Sequence, residues 1–256
     1  MLDNQKVDYF IEQEFNPKYA GIATPFGIRM YNAWGYTGTS NWNLFVYGAV
    51  VAIIVSWMST VLFVINAILK AKFGFVIEEQ FSTALQLILF MLMFRFTPIS
   101  SIHASEHQVI HALEKGLTLD QDTVRQQSRI HPRCGTQFVA LIVVMLITSS
   151  ILSFAHLNFY LDFFITIVVG AALKDFVGNL FQKYLTTKEA RDIDIDNAIK
   201  LGLELNTKMV KSIQNSEIPQ NNFKAFWMQI KHSGDIYTIG GILFVFLSKL
   251  LFSSMM

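Results

Sequence analysis

The chain has 256 residues, a net charge of +1 and 52% hydrophobic residues, and its 15% of charged residues falls well short of the roughly 25% usual in a soluble domain. Mean hydropathy is +0.40. The charges gather between long apolar runs, which argues for a polytopic membrane protein, and the near-zero net charge excludes the broad basic field that nucleic-acid binding needs.

Residues 1–43 are polar and aromatic and read as a cytoplasmic N-terminal segment. They show no positive stretch followed by a short apolar run, so no cleavable signal peptide is expected. Apolar runs follow at Leu44 to Leu69, Phe81 to Ser100, Phe138 to Phe154, Phe159 to Leu173 and Ile236 to Phe252. A crossing takes roughly 20 residues. The first two runs reach that length. The third and fourth are separated only by Ala155-His156-Leu157-Asn158 and read as a tight helical hairpin. The fifth, with Gly240-Gly241 and Lys249, either spans or lies in the interface. The expected fold is all-α: a membrane helical bundle with four to five transmembrane helices, its core at 44–185, followed by cytoplasmic and interfacial helices at 186–235 and a C-terminal membrane segment at 236–256. Near the spans, Arg95 is expected to snorkel or to pair with Asp175.

Lys and Arg cluster on one side of this topology. Lys6, Lys18 and Arg29 precede the first span, Lys115, Arg125, Arg129 and Arg133 lie between the second and third, and nine more run from Lys174 to Lys231. The opposite side carries only Lys70 and Lys72. By the positive-inside rule the N-terminus and the loop at 101–136 face the cytoplasm of a cell (inner) membrane. The single cysteine, Cys134, then sits in a reducing compartment and cannot form an intramolecular disulfide.

The loop at 101–136 carries the chemistry. Placed on a helix continuing out of the second span, at about 100° per residue, His103, Glu106, His107, His111 and Glu114 share one broad face. Val109 and Leu113 lie opposite, and Ile110 interrupts the polar face. His103 and His107 stand four residues apart, the spacing at which two imidazoles of one helix bind one ion, and with Glu106 they spell H-x-x-E-H. Glu106 is placed to act as general base toward a water activated by the metal. His107 and His111 repeat the same spacing and offer a second register, with Glu114 a further candidate ligand. Asp120 is expected to cap a short helix anchored by Val124, after which His131-Pro132-Arg133-Cys134-Gly135 supplies His131 and Cys134 as further ligands. Arg133 or Arg129 could stabilise an anionic transition state. H-x-x-E-H alone arises by chance; joined to H-x-x-C in a chain with six His and one Cys, it carries weight. A divalent ion, zinc, is the expected cofactor.

Thr186-Thr187-Lys188-Glu189 matches a capping box. Behind it Ile195, Ala198, Ile199, Gly202, Leu205 and Met209 recur at helical spacing, so the helix over 186–211 covers either its own protein or a membrane-protein partner. Asn222 to His232 mixes Phe223, Phe226, Trp227 and Ile230 with Lys224 and Lys231, which suits a helix in the bilayer surface or one packed on the protein itself.

The run Ile102-His103-Ala104-Ser105-Glu106-His107, then Glu114, Val124-Arg125 and Ser128-Arg129-Ile130-His131-Pro132-Arg133-Cys134-Gly135-Thr136, resembles the YqhQ-like family of bacterial multi-pass membrane proteins of unknown function. That family reads H-G-A-E-H, a following Glu, V-R, and S-R-L-H-P-R-C-G-T-S-F. Tyr184 to Glu189 is similar to the family's T-T-R-E-P-like turn. Gly21, Ala23, Gly27 and Met30 fit its Gly-rich opening, where Phe26 replaces a Glu. The resemblance implies a multi-helix membrane fold and a metal-dependent enzyme, with His103, Glu106, His107, Glu114, His131, Arg133 and Cys134 as the matching positions. Two readings follow: a zinc-dependent hydrolase, or a non-catalytic scaffold or accessory subunit whose structural metal site supports binding to another membrane complex.

Overall fold

The computed structural model describes residues 18–155, 158–215 and 222–253. Lys6, His156 and Leu157, used above, lie outside them. The chain divides into two compact units. The first comprises residues up to 50 together with 98–129 and those from 189 onward; the second comprises 51–97 and 130–188.

The first unit opens with a three-stranded antiparallel sheet, β1 (Ala20–Thr24), β2 (Gly27–Asn32) and β3 (Gly35–Gly38), in the order β1-β2-β3. The all-α expectation stands for the bulk of the described residues, and this small sheet is an addition to it. The cause is local turn chemistry. Thr24 Oγ1 donates to Gly27 O and accepts from Phe26 N–H, while Asn32 Oδ1 accepts from Trp34 and Gly35 N–H, closing two tight turns about eight residues apart. Helix α1 (Asn41–Phe73) leaves this sheet and runs on into the second unit. Helices α3 (Ile99–Glu114), α4 (Gln121–Arg125), α7 (Asp192–Gln214), α8 (Asn222–Ser233) and α9 (Asp235–Ser253) complete the first unit. Its core joins Ile28 and Met30 of the sheet, Ala104, Val109 and Ile110 of α3, Val124, and Ile195, Ala198, Leu205 and Met209 of α7. The apolar stripe of α7 is thus spent on α3 and the sheet. At Gly202 a Cβ would stand 2.8 Å from Val109 Cγ1, so the two helices pack tightly there.

Arg29, 1% exposed, ties these elements together. Its Nε donates to His232 O at 2.8 Å, and its Nη1 to Thr39 O at 3.1 Å and Asn41 Oδ1 at 2.8 Å. Its guanidinium lies 3.6 Å from the centroid of the Tyr36 ring. Arg29 is therefore a buried strut and not one of the surface cations that the orientation count assumes.

In the second unit, α2 (Glu79–Arg95) packs on α5 (Gly135–Ser153), and α5 packs along α6 (Phe159–Phe181), which ends in a π-helical turn, Gln182–Thr186. Gln137 Nε2 donates to Asn179 Oδ1 at 2.8 Å, and Gly170 and Gly178 admit Met145 and Gln137, so the hairpin is closed by small residues and an amide pair, as in lipid-embedded helices. Between α1 and α2, Gln86 Nε2 donates to Val55 O at 2.8 Å and Asn66 exchanges two hydrogen bonds with the Ile77 backbone. Arg95 donates to the Thr187 carbonyl, while Asp175 pairs with Lys174.

Two further expectations are corrected. The second span does not continue into the motif: α2 ends at Arg95 and α3 starts after Pro98, because the residue before a proline is disfavoured in the helical region and proline donates no N–H. The count of four to five spans is also reduced. Among the described residues α1 and α5 are long and apolar enough to cross a membrane, or three if α2 and α3 form one broken span. Helix α6 carries Asp162, Lys174 and Asp175, and the apolar stretch of α9, Asp235–Ser248, covers only about 21 Å at 1.5 Å per residue.

Replacing Arg29 by Met should remove three hydrogen bonds to a charged group and strand their acceptors. A loss of about 3 kcal/mol of stability is expected, read as a lowered thermal midpoint of the purified chain in detergent.

Candidate metal centre

Helix α3 is buried on its polar as well as its apolar side. Ser100, Ser101, Ser105, Glu106 and His107 are all enclosed. Such polar burial requires partners. Ser101 Oγ donates to the Asp194 carboxylate and accepts from Arg191 N–H at 2.9 Å, while Arg191 Nε donates to Asp194 Oδ2 at 2.7 Å. This network starts α7 at Asp192. The capping box at 186–189 does not form: Thr187 Oγ1 instead donates to Gln182 O at 2.7 Å, closing the π-helical turn.

Along α3 the i, i+4 spacing brings the rings of His103 and His107 to 4.3 Å between centroids. Glu106 Oε2 lies 3.9 Å from the Nε2 of each. Glu106 is 3% exposed and His107 2%. His107 Nδ1 is 2.7 Å from Arg129 O. A carbonyl only accepts, so Nδ1 carries a hydrogen, and in the neutral ring Nε2 is the lone-pair nitrogen beside Glu106. This outer bond is the one that fixes ring and tautomer in metal-ligating histidines.

Glu106 also explains a glycine. A Cβ on Gly21 would fall 2.6 to 2.8 Å from Glu106 Oε1, Cγ and Cδ, closer than real contacts allow. Strand β1 therefore reaches the acid only because it lacks a side chain there. The charge of Glu106 contributes to raising the Tyr31 hydroxyl pKa, behind burial and Asp235, and Glu114 adds to the burial that pushes Tyr19 up to about 12. The short helix α4 forms as expected: Thr118 and Thr123 hydrogen bonds pull the Asp120 carboxyl down to about 2, and Val124 is fully buried.

His131 and Cys134 belong to the second unit. Gln182 clamps the His131 backbone with bonds of 2.8 and 3.1 Å, and Arg133 N–H points at His131 Nδ1 at 3.3 Å. That contact makes Nδ1 an acceptor, which leaves the hydrogen of a neutral ring on Nε2 and weighs against Nε2 as a ligand. Cys134 is the N-cap of α5, accepting from Thr136 N–H, and burial pushes its thiol up while the Thr136 bonds lower it. In the first unit His103, His107, His111 and Glu114 are among the described residues whose donor atoms could hold a metal ion; in the second, His131 and Cys134 are.

Sequence reasoning missed Gly21, Arg29 and the Ser101–Asp194 pair. Gly21 alone left a signal, as a glycine in an opening that the family keeps Gly-rich.

Residues 31–177 match the family model described as a protein of unknown function, DUF1385. The uncharacterized protein YqhQ of Bacillus subtilis (strain 168) is 28% identical over 141 residues, an alignment covering 47% of this chain and 44% of that protein. The chain thus spans under half the length of this curated relative. No solved structure matches it.

Gly21→Ala should push Glu106 from its seat and cost about 1–3 kcal/mol, as overpacking does. Thermal unfolding of Gly21→Ala, Glu106→Ala and the double variant checks this. The double variant should recover most of the loss, whereas strictly additive effects would mean that the two residues do not press on each other.

Proposed function

The chain belongs to the DUF1385 family, and from that premise and the geometry of α3 we propose that it is a multi-pass inner-membrane protein that holds a divalent ion, zinc, on His103 and His107 at the cytoplasmic face and uses it for hydrolysis. The observation that carries this reading is the trio on α3: two imidazoles in contact, His103 half-buried and His107 buried, each with Nε2 3.9 Å from one enclosed carboxylate. A charge buried to that degree costs several kcal/mol unless a cation meets it. A divalent ion between the imidazoles and the acid is the arrangement that H-x-x-E-H spacing produces.

When bound, zinc supplies a Lewis acid. His107 is oriented for ligation by the Arg129 carbonyl. Glu106 stands beside the nitrogens, where it would take the proton that water gives up. His111 and Glu114, further along α3, are reserve donors. Cys134, His131 and the anion-stabilising Arg133 enter this proposal through the sequence motif alone. The cytoplasmic orientation rests on the bias of Lys and Arg between apolar runs. The bilayer is the expected partner of α1 and α5.

A second reading, a scaffold whose structural ion staples α3 and which binds another membrane complex, is favoured by the same burial. A closed site suits structure, whereas catalysis needs an open coordination position. The apolar stripe of α7 is already spent within its own unit. A membrane partner would therefore meet the outer face, where Ile193 and Leu203 are exposed.

Metal analysis of the purified chain tests the proposal. Wild type should carry zinc near one per chain, and His103→Ala/His107→Ala should lose at least nine-tenths of it. Undiminished zinc in the double variant would refute the ligand assignment. Glu106→Gln should keep its zinc if the acid is a base; loss of the ion would make Glu106 a ligand instead.

A further inference from the structure

Helix α8 packs on its own protein along one side only. At about 100° per residue, Phe223, Phe226, Trp227 and Ile230 fall within one arc of about 100°, and all four are exposed. Trp227 meets Phe223 and Phe226 at 6.1 Å between ring centroids, so the arc is one aromatic surface. Lys224 and Lys231 stand together at one edge of it, and α8 contains no acidic residue. The opposite side, Ala225, Met228, Gln229 and His232, is half-buried against the sheet. There Gln229 Nε2 donates to Lys18 O at 3.0 Å, and His232 Nδ1 lies 3.1 Å from Asn32 O.

Arg29 fixes the level at which this surface stands. Its one guanidinium donates to His232 O near the end of α8 and to Asn41 Oδ1 at the first residue of α1, the helix long and apolar enough to cross a membrane. Gly234, at φ +80°, turns the chain from α8 into α9, and a Cβ there would fall 2.4 Å from Leu44 Cδ1. The corner therefore seats against the start of α1. Trp42, the second residue of α1, is exposed and stacks on Phe45. Exposed Trp and Phe where an apolar helix begins are the side chains found at headgroup depth.

The residue types decide between lipid and protein as the cover. Lysine is depleted in protein interfaces, whereas an aromatic arc edged by lysines suits outer acyl carbons and headgroups together. Two cations on a helix without an acid favour headgroups of negative charge.

We propose that α8 lies in the bilayer surface, with Phe223, Phe226, Trp227 and Ile230 among the outer acyl carbons, and that Lys224 and Lys231 gather anionic phospholipid around it. The proposal rests on the reading of α1 as a membrane span and is independent of the metal centre.

The test uses the full chain reconstituted in mixed vesicles of phosphatidylcholine and phosphatidylglycerol. One lipid at a time is brominated near the carbonyl end of its acyl chains, where bromine quenches tryptophan on contact. The chain has four Trp, so the signal of Trp227 is the difference between wild type and Trp227→Phe. That signal should be quenched by either lipid, and at least twofold more strongly by the phosphatidylglycerol at equal mole fraction. Lys224→Gln/Lys231→Gln, or high salt, should remove the excess and leave the quenching. The difference between wild type and Trp57→Phe reports α1 itself and should be quenched by lipid brominated deep in its chains. Without that quenching the span reading falls and takes the proposal with it. Quenching of Trp57 but not of Trp227 would overturn the proposal alone: aqueous iodide reaching Trp227 would make α8 water-facing, and protection from both quenchers would mean that protein, such as a second copy of the chain, covers it. Equal quenching of Trp227 by the two lipids would overturn the anionic preference.

Discussion

The enclosed carboxylate of Glu106 is the constraint on which the first unit turns. An acid at 3% exposure has lost most of its hydration, and that loss runs to several kcal/mol unless positive charge and hydrogen bonds replace it. Its surroundings are arranged accordingly. Two imidazoles stand at equal distance from one of its oxygens, and a strand approaches it at a residue with no side chain. Ser101 on the same helix is satisfied by Asp194 and the Arg191 N–H at the start of α7, and Ser105 donates to Ile102 O, so the polar side of α3 is held in place by ordered partners. A helix so enclosed cannot rotate without breaking them. That rigidity is what a preorganised ligand set requires.

The sheet beside α3 also anchors the start of the first apolar helix. Arg29 fixes β2 to the start of α1 and to the end of α8. A few residues on, α1 and α9 meet so closely that a Cβ at Gly48 or Gly241 would lie 2.0 Å from a backbone oxygen of the other helix. Apolar helices that approach at glycine and otherwise expose Ile, Leu and Phe are built for lipid. On α8, Phe223 and Trp227 are 69% and 54% exposed, which fits the surface-lying alternative for that helix. Within the first unit, β2 thus touches α3 and, through Arg29, the start of α1 and the end of α8.

What was legible in the sequence was what periodicity and spacing encode. The positions of α1, α5, α6, α7 and α9 follow from apolar runs and a helical stripe, and the His103–Glu106–His107 face follows from 3.6 residues per turn. What was not legible depended on partners distant in the chain. The sheet at 20–38 is short and its strands alternate weakly, so its turns, not its periodicity, were the clue. The proline break at 98 was visible as a residue but was outweighed by the continuing apolar pattern. Arg29 reads as an ordinary surface cation until its partners at 39, 41 and 232 are known. Asp194 lies at a polar position of an amphipathic helix and yet is buried, because Ser101 and Arg191 reach it. The capping box failed for a similar reason: the π-helical turn claimed the Thr187 hydroxyl.

The most direct test of the central claim is X-ray absorption at the zinc edge of the purified, metal-loaded chain. Scattering characteristic of two imidazoles coordinated to the ion is the predicted result, and any sulfur contribution would report Cys134. A coordination shell without imidazole would contradict the assignment of His103 and His107, and with it the account of α3 as a metal-binding helix.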